Sequence, residues 1–160
     1  MSWESVKDCL KQYGADGRII SFSVSSATVE LAAQALHVEP ARIAKTLTFR
    51  HQDGCMVIVF AGDARVDNAL FKARFHEKAS MLTAEQVESM TGHPVGGVCP
   101  FALKPGVPVY LDESLQRFGT VFPAAGTPSS AIELSPEELY RFSGAECWVC
   151  VSKGWKESNA

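Results

Sequence analysis

Lys45 stands in the run IAKTLTF with apolar neighbours on most sides. An ammonium drawn partly out of water either finds an anion or has its pKa lowered. Either outcome suits a site that binds a phosphate or a developing oxyanion. The plainer alternative is a strand-end lysine whose stem snorkels to the surface. The second candidate is the segment from Gly92 to Pro108, GHPVGGVCPFALKPGVP, with eight Gly and Pro residues and one charged side chain, Lys104. Connections beyond about 12 residues without structure of their own are more often functional or disordered than plain linkers. The apolar residues Val95, Val98, Cys99 and Phe101 argue for inward packing, and Gly96-Gly97 lets backbone N–H groups approach a ligand. The segment reads as a pocket wall, against the alternative of a rigid surface crossing.

Cys99 with His93 raises the question of a thiol nucleophile, since six residues apart in one loop they can meet. No third, orienting residue and no local signature of a cysteine hydrolase accompanies them, so Cys99 reads better as a small buried hydrophobe. Cys147-Trp-Val-Cys150 matches C-x-x-C, but Trp, Val and the following Val151 favour a strand, on which residues three apart face opposite sides. The redox version needs its first thiol at a helix N-terminus, and no second Cys pair is placed to complete a zinc site. The glycine-rich nucleotide fingerprints, H-E-x-x-H and G-x-S-x-G are all absent from the chain. Neither a metal nor a cofactor is expected.

The elements that must position these residues follow from periodicity and caps. Residues 2–13 suit an amphipathic helix with Trp3, Val6, Leu10 and Tyr13 along one side and Gly14 at its end. Ile19–Val24 alternates as a strand, and Ser25, Ser26 and Thr28 offer cap oxygens to a helix over Val29–Leu36. Pro40 suits the first turn of a short helix, ARIA, running straight into the strand that begins KTLTF. Thr46–Phe49 and Met56–Phe60 form a hairpin across HQDG. Asp67 caps a helix reaching about His76 that buries Leu70, Phe71 and Phe75; Thr83 and Gln86 make a capping box for another ending near Gly92. VPVYLD is a strand, SLQRF a short helix, and TVFPA and AIEL are strands around the turn AGTPSS. Ser135-Pro136-Glu137-Glu138 starts a helix closed by Gly144, and CWVCVS is the last strand. Helices and strands alternate without a regular βαβ period. The expectation is an α/β chain of the mixed α+β kind: a mixed, mostly antiparallel sheet with flanking helices in one domain over residues 1–160.

Composition agrees with that class. With 160 residues, 46% hydrophobic and 21% charged, the chain can bury a real core. No apolar run approaches the roughly 20 residues of a membrane span, and the N-terminal MSWESVKDCL has no signal-peptide core. Five irregularly spaced cysteines do not suggest a disulfide framework, so a reducing cytoplasm is the expected setting, with no membrane partner. A net charge of −3 argues against a dedicated DNA binder. Charge is uneven, however. Arg65–Lys78 carries four basic residues against two acidic ones, and Glu133–Glu146 four acidic against one Arg. One face can therefore attract phosphate, against the alternative of two ordinary solvated helix faces.

Taken together, SSATVELAAQAL, ARIAKTL, GHPVGGVCPFAL, VPVYLDESL and AAGTPSSAIELSPEEL, in that order from about Ser21 to Val151, resemble the YbaK family. That family shares its fold with the editing domain of bacterial-type prolyl-tRNA synthetases. The resemblance implies a hydrolase that clears mischarged aminoacyl-tRNA. It implies that Lys45, followed by Thr46, is the key active-site residue, and that Gly96, Gly97, Val98, Cys99 and Pro100 match the family's G-x-x-x-P pocket loop. It further matches Ala125, Gly126 and Thr127 to a turn beside the aminoacyl group. Alanine-specific members resemble one another in an Asn-containing motif near that turn; Ala-Gly stands there instead, and cysteinyl, seryl, threonyl or another small group fits as well.

Physical chemistry is consistent with those assignments. A synthetase pocket rejects a smaller side chain by only about two orders of magnitude, so a second hydrolytic site is needed. Gly96 and Gly97 would offer backbone donors to the oxyanion, Lys45 would hold a carbonyl or phosphate, and His93 would join the substrate-binding wall. With no evident protein nucleophile, the expectation is attack by water, or help from a substrate group such as the ribose hydroxyl. Arg65–Lys78 would run along the acceptor stem through backbone contacts. The partners expected are a mischarged aminoacyl-tRNA and an aminoacyl-tRNA synthetase. The alternatives are a non-catalytic module that binds an RNA end or a synthetase through the same pocket, and a cysteine hydrolase using Cys99.

Overall fold

The structure, a computed structural model, describes residues 2–23, 28–94 and 98–155. Helix α1 (Ser2–Lys11) buries Val6 and Leu10. Strand β1 (Ile19–Ser21) follows; Val24, the expected end of that strand, and Ser25 and Ser26 lie outside the described residues. Thr28 caps helix α2 (Val29–Leu36), its hydroxyl accepting from Leu31 N.

The expected ARIA helix does not form. Pro40–Arg42 makes a single 3-10 turn, and Ile43 is already extended as the first residue of β2 (Ile43–His51). Four residues cannot offset the cost of helix nucleation. Ile43 and Ala44 instead gain a parallel pairing with Phe122 and Pro123. Lys45 therefore sits inside a strand, not at a helix–strand junction. The expected hairpin is present: β2 and β3 (Gly54–Ala61) pair antiparallel from Ala44↔Ala61 to His51↔Gly54. From Cys55 to Ala61, β3 is buried throughout.

After β4 (Arg65–Val66) comes α3 (Asn68–Phe75), whose N-cap Asp67 accepts from Leu70 N. Phe71 and Phe75, one turn apart, face the core, but Leu70 is 39% exposed, contrary to expectation. It precedes Phe71 by one residue, a rotation of roughly 100° that carries it off the buried stripe. Helix α4 (Ala84–Thr91) has the expected capping box of Thr83 and Gln86. From Gly92 to Pro108 the described residues form neither helix nor strand, yet Cys99 and Phe101 are completely buried.

The remaining elements are β5 (Val109–Asp112), a 3-10 turn over Glu113–Arg117, β6 (Phe122–Pro123), β7 (Ser130–Ile132), α5 (Pro136–Ser143), β8 (Cys147–Val149) and β9 (Ser152–Lys153). The expected single closing strand is broken in two. Val151 N donates to the buried Asp112 Oδ1 at 3.0 Å in place of a ladder bond, and the chain leaves β5 for β4.

The main sheet has the order β6-β2-β3-β5-β8. Its long β2–β3 ladder is antiparallel, while the β2–β6, β3–β5 and β5–β8 pairings are parallel and span two or three residues. Antiparallel ribbons β1–β7 and β4–β9 complete the mixed sheet system. The parallel pairings arise because β3 reaches β5, and β5 reaches β8, through long helix-containing crossovers, while most paired residues are antiparallel, as expected. The result is a mixed α/β fold with helices flanking a mixed sheet. Phe49 is the hub of its core, 5.0 Å from the Phe71 ring and 6.4 Å from that of Phe60.

Candidate active site

Lys45 lies opposite Phe60 in the β2–β3 ladder, one pair from the end of β3. Its Nζ donates to the carbonyl oxygen of Gly62 at 3.4 Å. Burial lowers the Lys45 pKa, and Asp63 and Glu30 oppose that shift. Neither carboxylate forms an ion pair with it among the described residues. The ammonium is thus poorly hydrated and incompletely paired.

It borders a cavity of about 460 Å³. Residues 43–48 of β2 form one wall, and Val29, Ala32 and Leu36 of α2 another. Val87 of α4, Val98, Phe122 and Ala131 close it further. Most of this lining is apolar. Thr46 is also on the lining, and its Oγ1 is buried with no hydrogen-bond partner among the described residues. A hydroxyl left so costs stability unless something else satisfies it.

Of the residues singled out in the sequence, Lys45, Thr46 and Val98 meet at this cavity. Gly96 and Gly97 lie outside the described residues. His93 and Cys99 are 1% and 0% exposed and are not on the cavity wall. The His93 ring donates from Nε2 to Phe101 O at 2.7 Å, which leaves Nδ1 buried without a partner among the described residues. Burial lowers the His93 pKa. Cys99 Sγ lies 3.8 Å from His93 Nε2, and burial pushes its thiol up to about 12. That is the opposite of an activated nucleophile.

Pro100 is buried and lines a different cavity, of about 300 Å³, beside Lys104, Pro105 and Phe142. Ala125 is fully buried, and Gly126 turns the chain at φ 98°. Thr127 Oγ1 donates to Ser130 Oγ at 2.9 Å and accepts from Ser129 N. This turn stands behind the wall that Ala124, Ser130 and Ala131 present to the cavity.

Two positions escaped sequence reasoning. Gly62 accepts from Lys45, and a Cβ placed there would stand 2.0 Å from Pro40 O. Arg117 forms a two-point pair with Asp63. A Gly-Asp pair directly after an apolar strand was the available signal for the first. Within the basic segment, Arg74 is stacked over Phe75 and Tyr110, at 4.9 and 5.7 Å from their ring centroids. Cys147 accepts from Arg74, and Cys150 donates to Glu113. Among the described residues no group of His, Cys, Asp or Glu could hold a metal ion, and no helix is long and apolar enough to cross a membrane.

Residues 24–142 match the aminoacyl-tRNA editing domain, and the chain belongs to that family. It is 48% identical to the uncharacterized protein YwhH of Bacillus subtilis (strain 168), over 98% of this chain and 100% of that one. It is 29% identical over 86 residues to proline–tRNA ligase of Kosmotoga olearia, spanning 53% of this chain but 15% of the ligase. The fold superposes on the crystal structure of a proposed trans-editing enzyme for prolyl-tRNA synthetase with a TM-score of 0.85 at 29% identity, covering 96% and 98% of the two chains. The resemblance to YbaK and to the prolyl-tRNA synthetase editing domain therefore holds.

Proposed function

We propose that this chain hydrolyses mischarged aminoacyl-tRNA in trans, releasing a small amino acid from tRNA-Pro or a related tRNA. The single observation that carries the reading is the Lys45 ammonium, bordering an apolar cavity without a carboxylate ion pair among the described residues. A cation in that state strengthens its hold on a carbonyl or phosphate oxygen, because little water competes for it. Water, aided by a neighbouring ribose hydroxyl that relays its proton, attacks the ester carbonyl carbon. The bond from that carbon to the ribose oxygen then breaks; the water oxygen leaves with the amino acid, and the proton goes to the ribose oxygen, which becomes the terminal hydroxyl of the tRNA.

In this reading Gly96 and Gly97 supply backbone donors to the oxyanion, and Thr46 bonds the aminoacyl group. Val98 forms the apolar wall. His93, Cys99, Pro100 and the Ala125–Thr127 turn hold the wall's shape from behind. Arg65–Lys78 meets the acceptor stem, and the whole of residues 1–160 acts as one editing domain, with a synthetase as second partner. Cytoplasmic residence follows from that substrate.

The test is a deacylation panel of tRNA-Pro and related tRNAs charged with Ala, Cys, Ser and Thr. At least one is hydrolysed, and Lys45→Ala loses on the order of 10²-fold or more in rate. No hydrolysis across the panel would overturn the proposal. Salt-sensitive tRNA binding without turnover would mark a binding module instead.

A further inference from the structure

We propose that Arg117 is a positioning residue for Lys45, acting through the Gly62–Asp63 turn and held in place by Trp155. The proposal rests on the reading of Lys45 as the group that meets the substrate.

The 3-10 turn of residues 113–117 is fastened to the end of β3 at two points. Ala61 N donates to Ser114 Oγ at 3.1 Å. Two residues later, Arg117 grips both oxygens of Asp63, Nη1 to Oδ2 at 3.0 Å and Nη2 to Oδ1 at 2.5 Å. Gly62 lies between these fastenings. Its N donates to Ala41 O at 3.3 Å, and its carbonyl accepts from Lys45. The seat of the ammonium is therefore set by what holds residues 61 and 63.

Exposed ion pairs usually contribute little, but a two-point Arg–carboxylate pair with a fixed guanidinium is the exception. Here the guanidinium is fixed. Its Nε donates to Ser114 O at 2.9 Å, and its carbon lies 4.7 and 4.8 Å from the ring centroids of Phe118 and Trp155. Trp155 Nε1 donates to Ser152 Oγ at 2.7 Å, and Ser152 Oγ donates in turn to buried Asp112. Asp112 Oδ2 also accepts from Ser114 N, so the segment from Val151 to Trp155 braces the same 3-10 turn. That segment lies beyond residues 24–142, where the family match ends.

The arrangement has an electrostatic consequence. Asp63 from the β3 end and Glu30 from α2 are the acidic groups that act on Lys45, and both favour its charged form. Arg117 occupies both Asp63 oxygens and keeps that carboxylate from closing an ion pair with Lys45. The ammonium stays available to an incoming oxygen. Without Arg117, Asp63 turns to Lys45, the ammonium is tied down, and its pKa rises.

The experiment follows the Lys45 side chain by NMR on protein carrying ¹³C-lysine, with Lys45→Arg assigning the resonance, alongside deacylation kinetics. In Arg117→Ala the Lys45 titration moves up by about half a pH unit or more. The same variant loses about tenfold or more in kcat, with KM little changed. The double variant Arg117→Ala with Asp63→Asn shows no upward shift, because the carboxylate that causes it is gone; a merely structural role for Arg117 predicts no such dependence. Should Arg117→Ala not fold, Arg117→Gln is measured in its place and gives the same upward shift. A folded variant with an unmoved Lys45 titration overturns the proposal. If the native protein hydrolyses no aminoacyl-tRNA, the functional reading fails while the titration still decides the role of Arg117.

Discussion

Lys45 Nζ lies 3.4 Å from the carbonyl oxygen of Gly62, and Gly62 stands where a side chain would collide with the carbonyl of Pro40, at 2.0 Å. The lysine is thus seated on a backbone oxygen whose own position admits only glycine. An ordinary surface lysine has no such constraint on its partner.

Gly62→Ala therefore forces the turn away from Pro40. The expected cost is about 1–3 kcal/mol, read as a lower midpoint in urea unfolding. Deacylation falls further than the lost stability accounts for, because the Lys45 seat moves. Wild-type stability in this variant would contradict the close approach.

Thr46→Val removes a buried hydroxyl that has no partner among the described residues and keeps the side chain's shape. The variant is expected to be as stable as the native protein or up to about 1 kcal/mol more so. If the hydroxyl bonds the aminoacyl group, KM rises several-fold. Calorimetry and steady-state deacylation check the two halves separately.

Cys99→Ala distinguishes a packing thiol from a nucleophile. With the thiol fully buried and raised to about 12, the variant retains deacylase activity and loses about 1–2 kcal/mol of stability. In the native protein an alkylating reagent labels exposed Cys150 and reaches Cys99 only on unfolding. Abolished activity would restore the cysteine-hydrolase reading.

Acid stability depends on an ion pair that is not on the cavity lining. The Arg18 fork donates to Glu138 at 2.8 and 3.1 Å, and Ser135 N adds another bond. Together they hold the Glu138 carboxyl at about 2, below its ordinary 4.5. Because the folded value is the lower one, the stabilisation is present above about pH 4.5 and is lost as pH falls toward 2. Glu138→Gln flattens that part of the stability–pH curve, measured by unfolding between pH 5 and 2.

Much of the fold was legible because its signals are local. Thr83 with Gln86 and Ser135 with Glu138 form the capping boxes that their spacing predicts, and the hairpin across HQDG closes in register. Apart from Leu70, which its own helix turns off the buried stripe, the departures involve competition from distant residues. Ile43 leaves its short helix for Phe122, and Val151 leaves its strand for Asp112. The parallel pairings likewise join strands separated by whole helices. Propensity describes a residue's own preferences and not the offers made by remote partners.

The candidate site divides along the same line. By itself the sequence determined which residues are candidates for chemistry, Lys45-Thr46 in an apolar run and a stiff apolar loop, and, through the order of the matching segments, the family. Only the tertiary structure decided what those residues touch. It turned Cys99 and His93 into the core, opened Thr46 and Val98 to the Lys45 cavity, and set Lys45 against Gly62 with Arg117 behind it. The reason is physical. Burial and partnership of a side chain depend on strands brought together across the chain, and no local pattern records that distance.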